Sequence, residues 1–228
     1  MTFRIIRDSH LVVAIATLAA AATPAAGQFG IRGGANLSKF VGSGAADAES
    51  QRGLNGGGTM PLIHIGPVSI VPEVYYAQKG TKLGPSTLTP PPSGTTPTTV
   101  EFGLDYIEVP LLAKVRFPLT QKLHGYVTGG PAYAWNVNCS ISTDTNGTES
   151  AASDCGETFG SFKTAMQKAD RGVVGGGGLD FIVPGFGGIN LDLRVVRGLT
   201  RLTTGSTGAD VKNQSVSLML GYYLGAGR

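Results

Sequence analysis

The sequence predicts an all-β protein: an antiparallel up-and-down transmembrane β-barrel of about eight strands with a filled polar interior. Three observations predict it. The first is the alternation in Asp105 to Phe117, DYIEVPLLAKVRF. Its odd-numbered residues from Ile107 on (Val109, Leu111, Ala113, Val115 and Phe117 follow) are all apolar, while its even-numbered residues include Glu108, Lys114 and Arg116. A strand sends alternate side chains to opposite faces, so one face suits lipid and the other a polar interior. The second is composition. Charged residues make up 14 % of the chain and glycine accounts for 35 of its 228 residues, a balance that suits a glycine-punctuated β protein of one domain. The third is the combination of a signal-like N-terminus with no later apolar stretch long enough for a membrane helix. A chain of that kind enters a membrane only as a closed barrel, which satisfies every backbone polar group within itself.

The N-terminus carries Arg4 and Arg7, then a 12-residue apolar run from Leu11 to Ala22 broken by Thr17, then TPAAGQ. That is the order of regions in a secretory signal, and the run is short of the roughly 20 residues a spanning helix needs. An N-terminal anchor is the alternative. Residues 1–27 are therefore assigned as a signal peptide and 28–228 as the barrel domain, placed in a bacterial outer membrane. Removing the signal takes away Arg4, Arg7 and Asp8, so 18 basic and 15 acidic residues become 16 and 14, and the formal charge falls from +3 to +2. With no Lys/Arg run, nucleic acid is excluded as a partner.

Eight alternating segments account for the strands. In Gln28–Val41, Phe29, Ile31 and Leu37 face out and Arg32, Asn36 and Ser38 face in. Gly53–Ile65 is glycine-rich, with Leu54, Met60 and Leu62 outward against Asn55 and Thr59. Val68–Lys79 opposes Val74 and Tyr76 to Ser69, Glu73, Tyr75 and Lys79. The opening stretch is the fourth. Lys122–Asn138 opposes Val127, Tyr133, Trp135 and Val137 to His124, Tyr126, Thr128 and Asn136. Gly172–Val183 opposes Val173, Leu179 and Phe181 to Asp180, and Ile189–Leu202 opposes a leucine and valine row to Asn190, Asp192 and Arg194. Ser215–Leu224 closes the set, with Val216, Leu218, Leu220 and Tyr222 outward.

Connection lengths alternate in the way that outer-membrane barrels require, with short periplasmic turns and long extracellular loops. The segments 65–67, 118–121 and 184–187 are short; 42–52, 80–99, 139–169 and 203–212 are long. That order places both termini in the periplasm. Phe29 and Phe117 then fall at the periplasmic interface, and Tyr76, Tyr133 and Trp135 at the outer one, as aromatic girdles. Outer-membrane lipid is the implied surroundings, and the barrel-insertion machinery an implied partner during biogenesis.

The inward ionisable residues form the main constellation: Glu73, Glu108, Asp180 and Asp192 against Arg32, Lys79, Lys114, Arg116 and Arg194. An eight-stranded barrel has an interior that side chains fill, and charges there need partners. The expected role is a barrel-filling ion network; a proton path or a Glu73–Glu108 acid–base pair across a symmetric hairpin is the functional alternative. The glycine runs 56–58 and 175–178 lie inside strand patterns with no following helix or Lys-Ser/Thr, so they read as room for curvature and bulky neighbours and not as a phosphate loop. His64 and His124 have no ligand partners at metal spacing. No metal, cofactor or catalytic residue is assigned, and the chain is read as a non-enzyme. Cys139 and Cys155, an even pair in an exported chain, read as a disulfide, with two free thiols as the alternative.

Several pieces resemble the PorT-like outer-membrane β-barrel family: GIRGGANLSKF at 30–40, VPEVYYAQKG at 71–80, LDYIEVPLLAKVRF at 104–117, YVTGGPAYAW at 126–135, GGGLDF at 176–181, LDLRVVRGLTRL at 191–202 and SLMLGYYL at 217–224. The resemblance runs over the mature chain. It implies an integral outer-membrane barrel. The C-terminus departs from the usual aromatic ending, since Leu224 is followed by Gly-Ala-Gly-Arg228. The expected function is a structural or interaction role with displayed loops and no open general pore. The alternative is a surface-binding, adhesion or secretion-accessory barrel that meets a ligand or protein partner through loops 80–99 and 139–169. A soluble secreted β-sandwich is the competing fold.

Overall fold

A computed structural model describes residues 29–43, 45, 48–84, 98–145, 148–155, 167–202 and 210–224. The signal segment 1–27 and its cleavage site lie outside the described residues, as do parts of all four long loops. Eleven strands form one antiparallel sheet. They are β1 (Gly30–Val41), β2 (Ala48–Thr59), β3 (Ile63–Ile65), β4 (Val68–Leu83), β5 (Thr98–Pro118), β6 (Leu123–Thr145), β7 (Thr148–Glu149), β8 (Ser153–Asp154), β9 (Ala169–Val183), β10 (Gly187–Gly198) and β11 (Lys212–Tyr223).

The sheet closes on itself. β1 pairs with β11 on one side and β2 on the other, and β2 pairs on to β4. β2 and β3 make one bent stave against β4: the amides of Met60 and Leu62 donate to the carbonyls of Pro72 and Ile70 at 3.3 and 2.9 Å. Pro61 between them has no N–H to give, which is why the stave is interrupted there. Counting that pair once, eight staves ring the barrel. β7 and β8 are short strands added to β6. Closure removes the exposed edges that would otherwise leave backbone groups unpaired in lipid. Gly66 and Gly185, at φ 59° and 82°, make the left-handed turns that tight hairpins use.

The two faces separate as the alternation requires. Ile31, Leu37, Leu111, Phe117, Leu193, Leu218 and Leu220 are exposed, while Arg32, Glu73, Lys79, Asp180, Asp192 and Arg194 are buried. In a soluble protein this inversion would be ruinous. Around a membrane barrel it places apolar area against acyl chains and polar groups inside. A soluble β-sandwich does not arrange its faces this way.

Two expectations need correction. Strands at the long-loop end run well past the predicted limits: β4 continues to Leu83, β5 begins at Thr98 and β6 continues to Thr145. The loop spans 80–99 and 139–169 are correspondingly shorter. The physical reason is ladder pairing to neighbours on both sides of β5, Leu83 with Val100 and Thr145 with Thr98, which holds Thr- and Ser-rich segments that look loop-like in sequence. The interior is also not uniformly polar. Leu112, Val174 and Val196 pack as one buried apolar cluster and Leu104, Tyr106 and Ala134 as another.

Candidate functional site

Inward side chains of the staves meet along the barrel axis, and two ionic clusters result. The lower one begins near the tight-turn mouth. Asp180 on β9 receives Lys114 Nζ at 2.7 Å and Arg116 Nε at 3.5 Å, both from β5. Asn190 on β10 donates from Nδ2 to Asp180 Oδ1 at 2.7 Å and to the Tyr126 hydroxyl at 3.0 Å. Tyr126 in turn donates to Asp192 Oδ2 at 2.5 Å. Asp192 is paired to Arg194 Nε at 2.6 Å and lies 3.6 Å from Arg32 Nη1. Glu73 on β4 closes the set, taking Arg32 at 2.9 Å on one oxygen and Arg194 at 2.6 Å on the other. Lys114 also sits 3.8 Å from the centre of the Tyr126 ring, a cation–π contact.

The upper cluster is smaller. Lys79 Nζ lies 2.5 Å from Glu108 Oε1 and 5.7 Å from the Tyr106 ring centre. The Tyr106 hydroxyl accepts from Asn213 at 3.0 Å. Asp170 is buried in the same region.

All nine charged residues named from sequence point inward. The structure distributes them over both clusters. It does not bring Glu73 and Glu108 together as an acid–base pair. Tyr75 is the residue across from Glu108 in the β4–β5 register, and each glutamate has its own cations. Carboxylates held this way are neutralised structural anions. Asp170, Asn213 and Tyr106 are interior residues that the sequence reading did not assign to the network. Asp170 and Asn213 fall just ahead of the predicted strands Gly172–Val183 and Ser215–Leu224, and Tyr106 lies on the inward, even-numbered side of the opening stretch. His124 stands inside as expected, and His64 is engaged at the rim by Ser69, whose hydroxyl lies 2.9 Å from its Nδ1. Among the described residues no group of three or more His, Cys, Asp or Glu is arranged to hold a metal ion.

Room for these long side chains comes from glycine. A Cβ on Gly178 would lie 2.6 Å from the Tyr126 hydroxyl, and one on Gly221 would lie 2.5 Å from Arg32 Cγ. Both are distances that real side chains do not adopt. Glycine there lets a phenol and a guanidinium cross the narrow lumen.

The aromatic residues define two levels. Ile107 faces Tyr76 on β4 and Trp135 on β6, and Val109 faces Tyr133. Tyr133 and Trp135 meet edge to face with centroids 4.5 Å apart. At the other end lie Phe29 and Phe117, joined by Phe181, Phe186 and Tyr222, whose hydroxyl donates to the Phe186 carbonyl. Ile107 to Phe117 is a stretch of eleven residues, within the roughly 9–11 that a tilted spanning strand uses. β5 has 21 residues, or about 70 Å at about 3.3 Å each. Its first part, with the facing part of β6, therefore rises clear of the bilayer.

That extension is built for rigidity. Asp105 pairs with Asn138 and Tyr106 with Asn136, so Val137 is an extra residue in β6. A bulge of this kind reverses which face later side chains take, and it puts Ile141 among buried residues. Cys139 and Cys155 are joined as a disulfide with Cα atoms 5.5 Å apart. The bond ties the segment after β8 back onto β6. Lys82 and Glu101 add an ion pair across β4 and β5.

The model of the family described as "Outer membrane protein beta-barrel domain" matches residues 23–204. No curated protein matches the sequence. Among solved structures, Neisserial surface protein A is similar at 15 % identity over 85 % of this chain and 96 % of that one, with a TM-score of 0.45. OprG from Pseudomonas aeruginosa is similar at 14 % identity over 88 % and 97 %, TM-score 0.42. Outer Membrane Protein W of E. coli is similar at 16 % identity over 89 % and 100 %, TM-score 0.42. At such TM-scores none of these likenesses bears on function.

Proposed function

The chain belongs to the outer membrane protein beta-barrel domain family, and on that premise we propose that it is a structural or interaction barrel that presents a rigid extension at the cell surface. Its location in the outer membrane follows from the family. The finer reading has residues 1–27 as an export signal, both termini in the periplasm, and the β5–β6 extension outside. The observation that carries it is the contrast between the two ends of the molecule. The lumen is filled by two ionic clusters and an apolar cluster of Leu112, Val174 and Val196, which argues against a general pore. The described residues beyond the membrane are stapled and paired. Rigid scaffolds that display loops are where recognition concentrates.

The PorT-like subgroup is supported by Pro72-Glu73-x-x-Tyr76 followed by Tyr106-Ile107-Glu108-x-Pro110-Leu111-Leu112. Glu73 and Glu108 in those pieces anchor the lower and upper ionic clusters. A non-enzyme reading is supported by the same facts, since each of these carboxylates is matched to a cation. An adhesion or secretion-accessory role through 80–99 and 139–169 is the second reading, favoured by the length of β5 and β6.

Cells making the full chain, or a version in which short turns join Lys79 to Leu104 and Asn138 to Ala169 in place of the segments between them, separate these readings. An interaction role predicts that the shortened barrel inserts normally and loses surface attachment or partner capture. Equal attachment by both would reject it. Large conductance steps from the intact barrel in planar bilayers would reject the closed lumen.

A further inference from the structure

The tight-turn mouth of the barrel opens on a cavity of about 30 Å³ lined by Arg32, Thr59, Lys114, Arg116, Asn190 and Tyr223, among others. Two features set it apart from the rest of the lumen. Charge is the first. In the lower cluster Arg32, Lys114, Arg116 and Arg194 face Glu73, Asp180 and Asp192. Four cations against three carboxylates leave one positive charge over among the described residues. Arg32 and Arg194 are held by Glu73 and Asp192, so the surplus falls on the pair that shares Asp180. Of that pair, Lys114 makes the close contact at 2.7 Å, and Arg116 reaches Asp180 with Nε alone at 3.5 Å. Its terminal nitrogens are left to the cavity it lines. The second feature is the set of hydroxyls. Thr59 Oγ1 and the Tyr223 hydroxyl are buried and have no hydrogen-bond partner among the described residues. Both residues line the same cavity, and both can donate. Asn190 Oδ1 is an unpartnered acceptor there among the described residues.

Buried hydroxyls call for a hydrogen-bond partner, and the half-buried Arg116 guanidinium beside them selects an anion with fixed geometry. We propose that the tight-turn mouth is a binding site for one small oxyanion, the carboxylate or phosphate end of a larger molecule. Arg116 supplies charge-assisted hydrogen bonds, and the Tyr223 and Thr59 hydroxyls donate to the remaining oxygens. Lys114 holds Asp180 and keeps its charge from repelling the ligand. One negative charge neutralises the cluster. The cavity's size admits the oxyanion group only, with the rest of the molecule outside the mouth. The site is independent of the surface role proposed for the extension at the opposite end.

The test uses the full barrel folded in a maltoside detergent, which carries no phosphate, with sodium acetate and inorganic phosphate as separate probes. Amide shifts of Gly30, Arg116 and Gly188 are followed by NMR at low chloride. The expected result is saturable movement with at least one probe. Arg116→Gln weakens it about tenfold or more, as loss of a charge-assisted contact should, and Tyr223→Phe weakens it several-fold. Lys39→Gln, at the other end of β1, leaves it unchanged. Movement with acetate alone assigns a carboxylate ligand, with phosphate alone a phosphate ligand, and with both their shared chemistry; each supports the site. Should Arg116→Gln not fold, Tyr223→Phe decides. No saturable movement with either probe, or wild-type titration by the variants that fold, overturns the proposal and leaves water as the occupant.

Discussion

Replacing Glu73 by Gln removes one of the two carboxylates that hold a pair of buried guanidiniums. Glu73 is 2 % exposed and accepts from Arg32 at 2.9 Å and from Arg194 at 2.6 Å. Around it the charges are balanced, Arg32 and Arg194 against Glu73 and Asp192. The substitution leaves two guanidiniums on Asp192 alone, and an uncompensated charge in the lumen. Breaking a buried pair from one side costs about 3–5 kcal/mol, a large part of the ~5–15 kcal/mol that typically separates folded from unfolded protein. Urea titration in bilayers reads the change through Trp135, the single tryptophan, which sits on the lipid face of β6. The midpoint falls with an unchanged slope if only stability has moved. The double variant Glu73→Gln/Arg194→Gln restores balance, because Arg32 keeps Asp192. It is expected to be less destabilised than the sum of its singles by about 1–3 kcal/mol. A cost below about 1 kcal/mol for Glu73→Gln, as for an exposed pair, or strict additivity in the cycle, would refute the claim that this network fills and specifies the barrel.

Three further outcomes follow from the same geometry. Replacing both Cys139 and Cys155 by Ala should leave heat-modifiable barrel migration intact while speeding proteolysis within 139–155, because the bond staples the extension and not the membrane span; loss of barrel folding would contradict that. Gly178→Ala should cost about 1–3 kcal/mol by overpacking, since its Cβ would fall 2.0 Å from the Leu191 carbonyl and 2.6 Å from the Tyr126 hydroxyl; Gly175→Ala, which meets nothing within 4 Å, should be close to neutral in the same urea titration. Outside the membrane, the hydrogen bond from Lys212 holds the Asp210 carboxyl below the usual carboxylate range, with Arg201 adding to it. A depressed folded pKa means that the contact's contribution is present above the unfolded value near ~3.9 and is lost as pH falls through the folded one. An NMR titration should show Asp210 returning toward the ordinary value in Lys212→Gln, and no change would remove Lys212 as the cause.

The membrane span was legible because a period of two is strict: one slip would turn every charged side chain into lipid. That is why Arg32, Glu73, Asp180, Asp192 and Arg194 could be assigned to the lumen from residue order alone. Contacts within the lumen were less legible. They depend on the stagger between strands, and Glu108 meets Lys79 instead of Glu73 because Tyr75 stands opposite it. Strand ends were misplaced where composition resembles loop. Thr98–Leu104 and Cys139–Thr145 carry the residues of an exposed segment, and only pairing to neighbours far along the chain keeps them extended. The bulge at Val137 also breaks the alternation, so no parity count carried past it could place Cys139 or Ile141. Asp170 and Asn213 were missed for the related reason that each is the second residue of its strand, ahead of the clear alternation.

The central claim is that alternate residues of β5 face lipid and a filled lumen. It is tested most directly by spin labels placed singly at each position from Ile107 to Phe117, in a Cys139→Ala/Cys155→Ala background folded into bilayers. Oxygen dissolved in the acyl chains should reach the odd-numbered positions, highest near Leu111 and Ala113, and should be excluded at Glu108, Leu112, Lys114 and their even-numbered neighbours. Uniform accessibility, or a period other than two, would contradict the account.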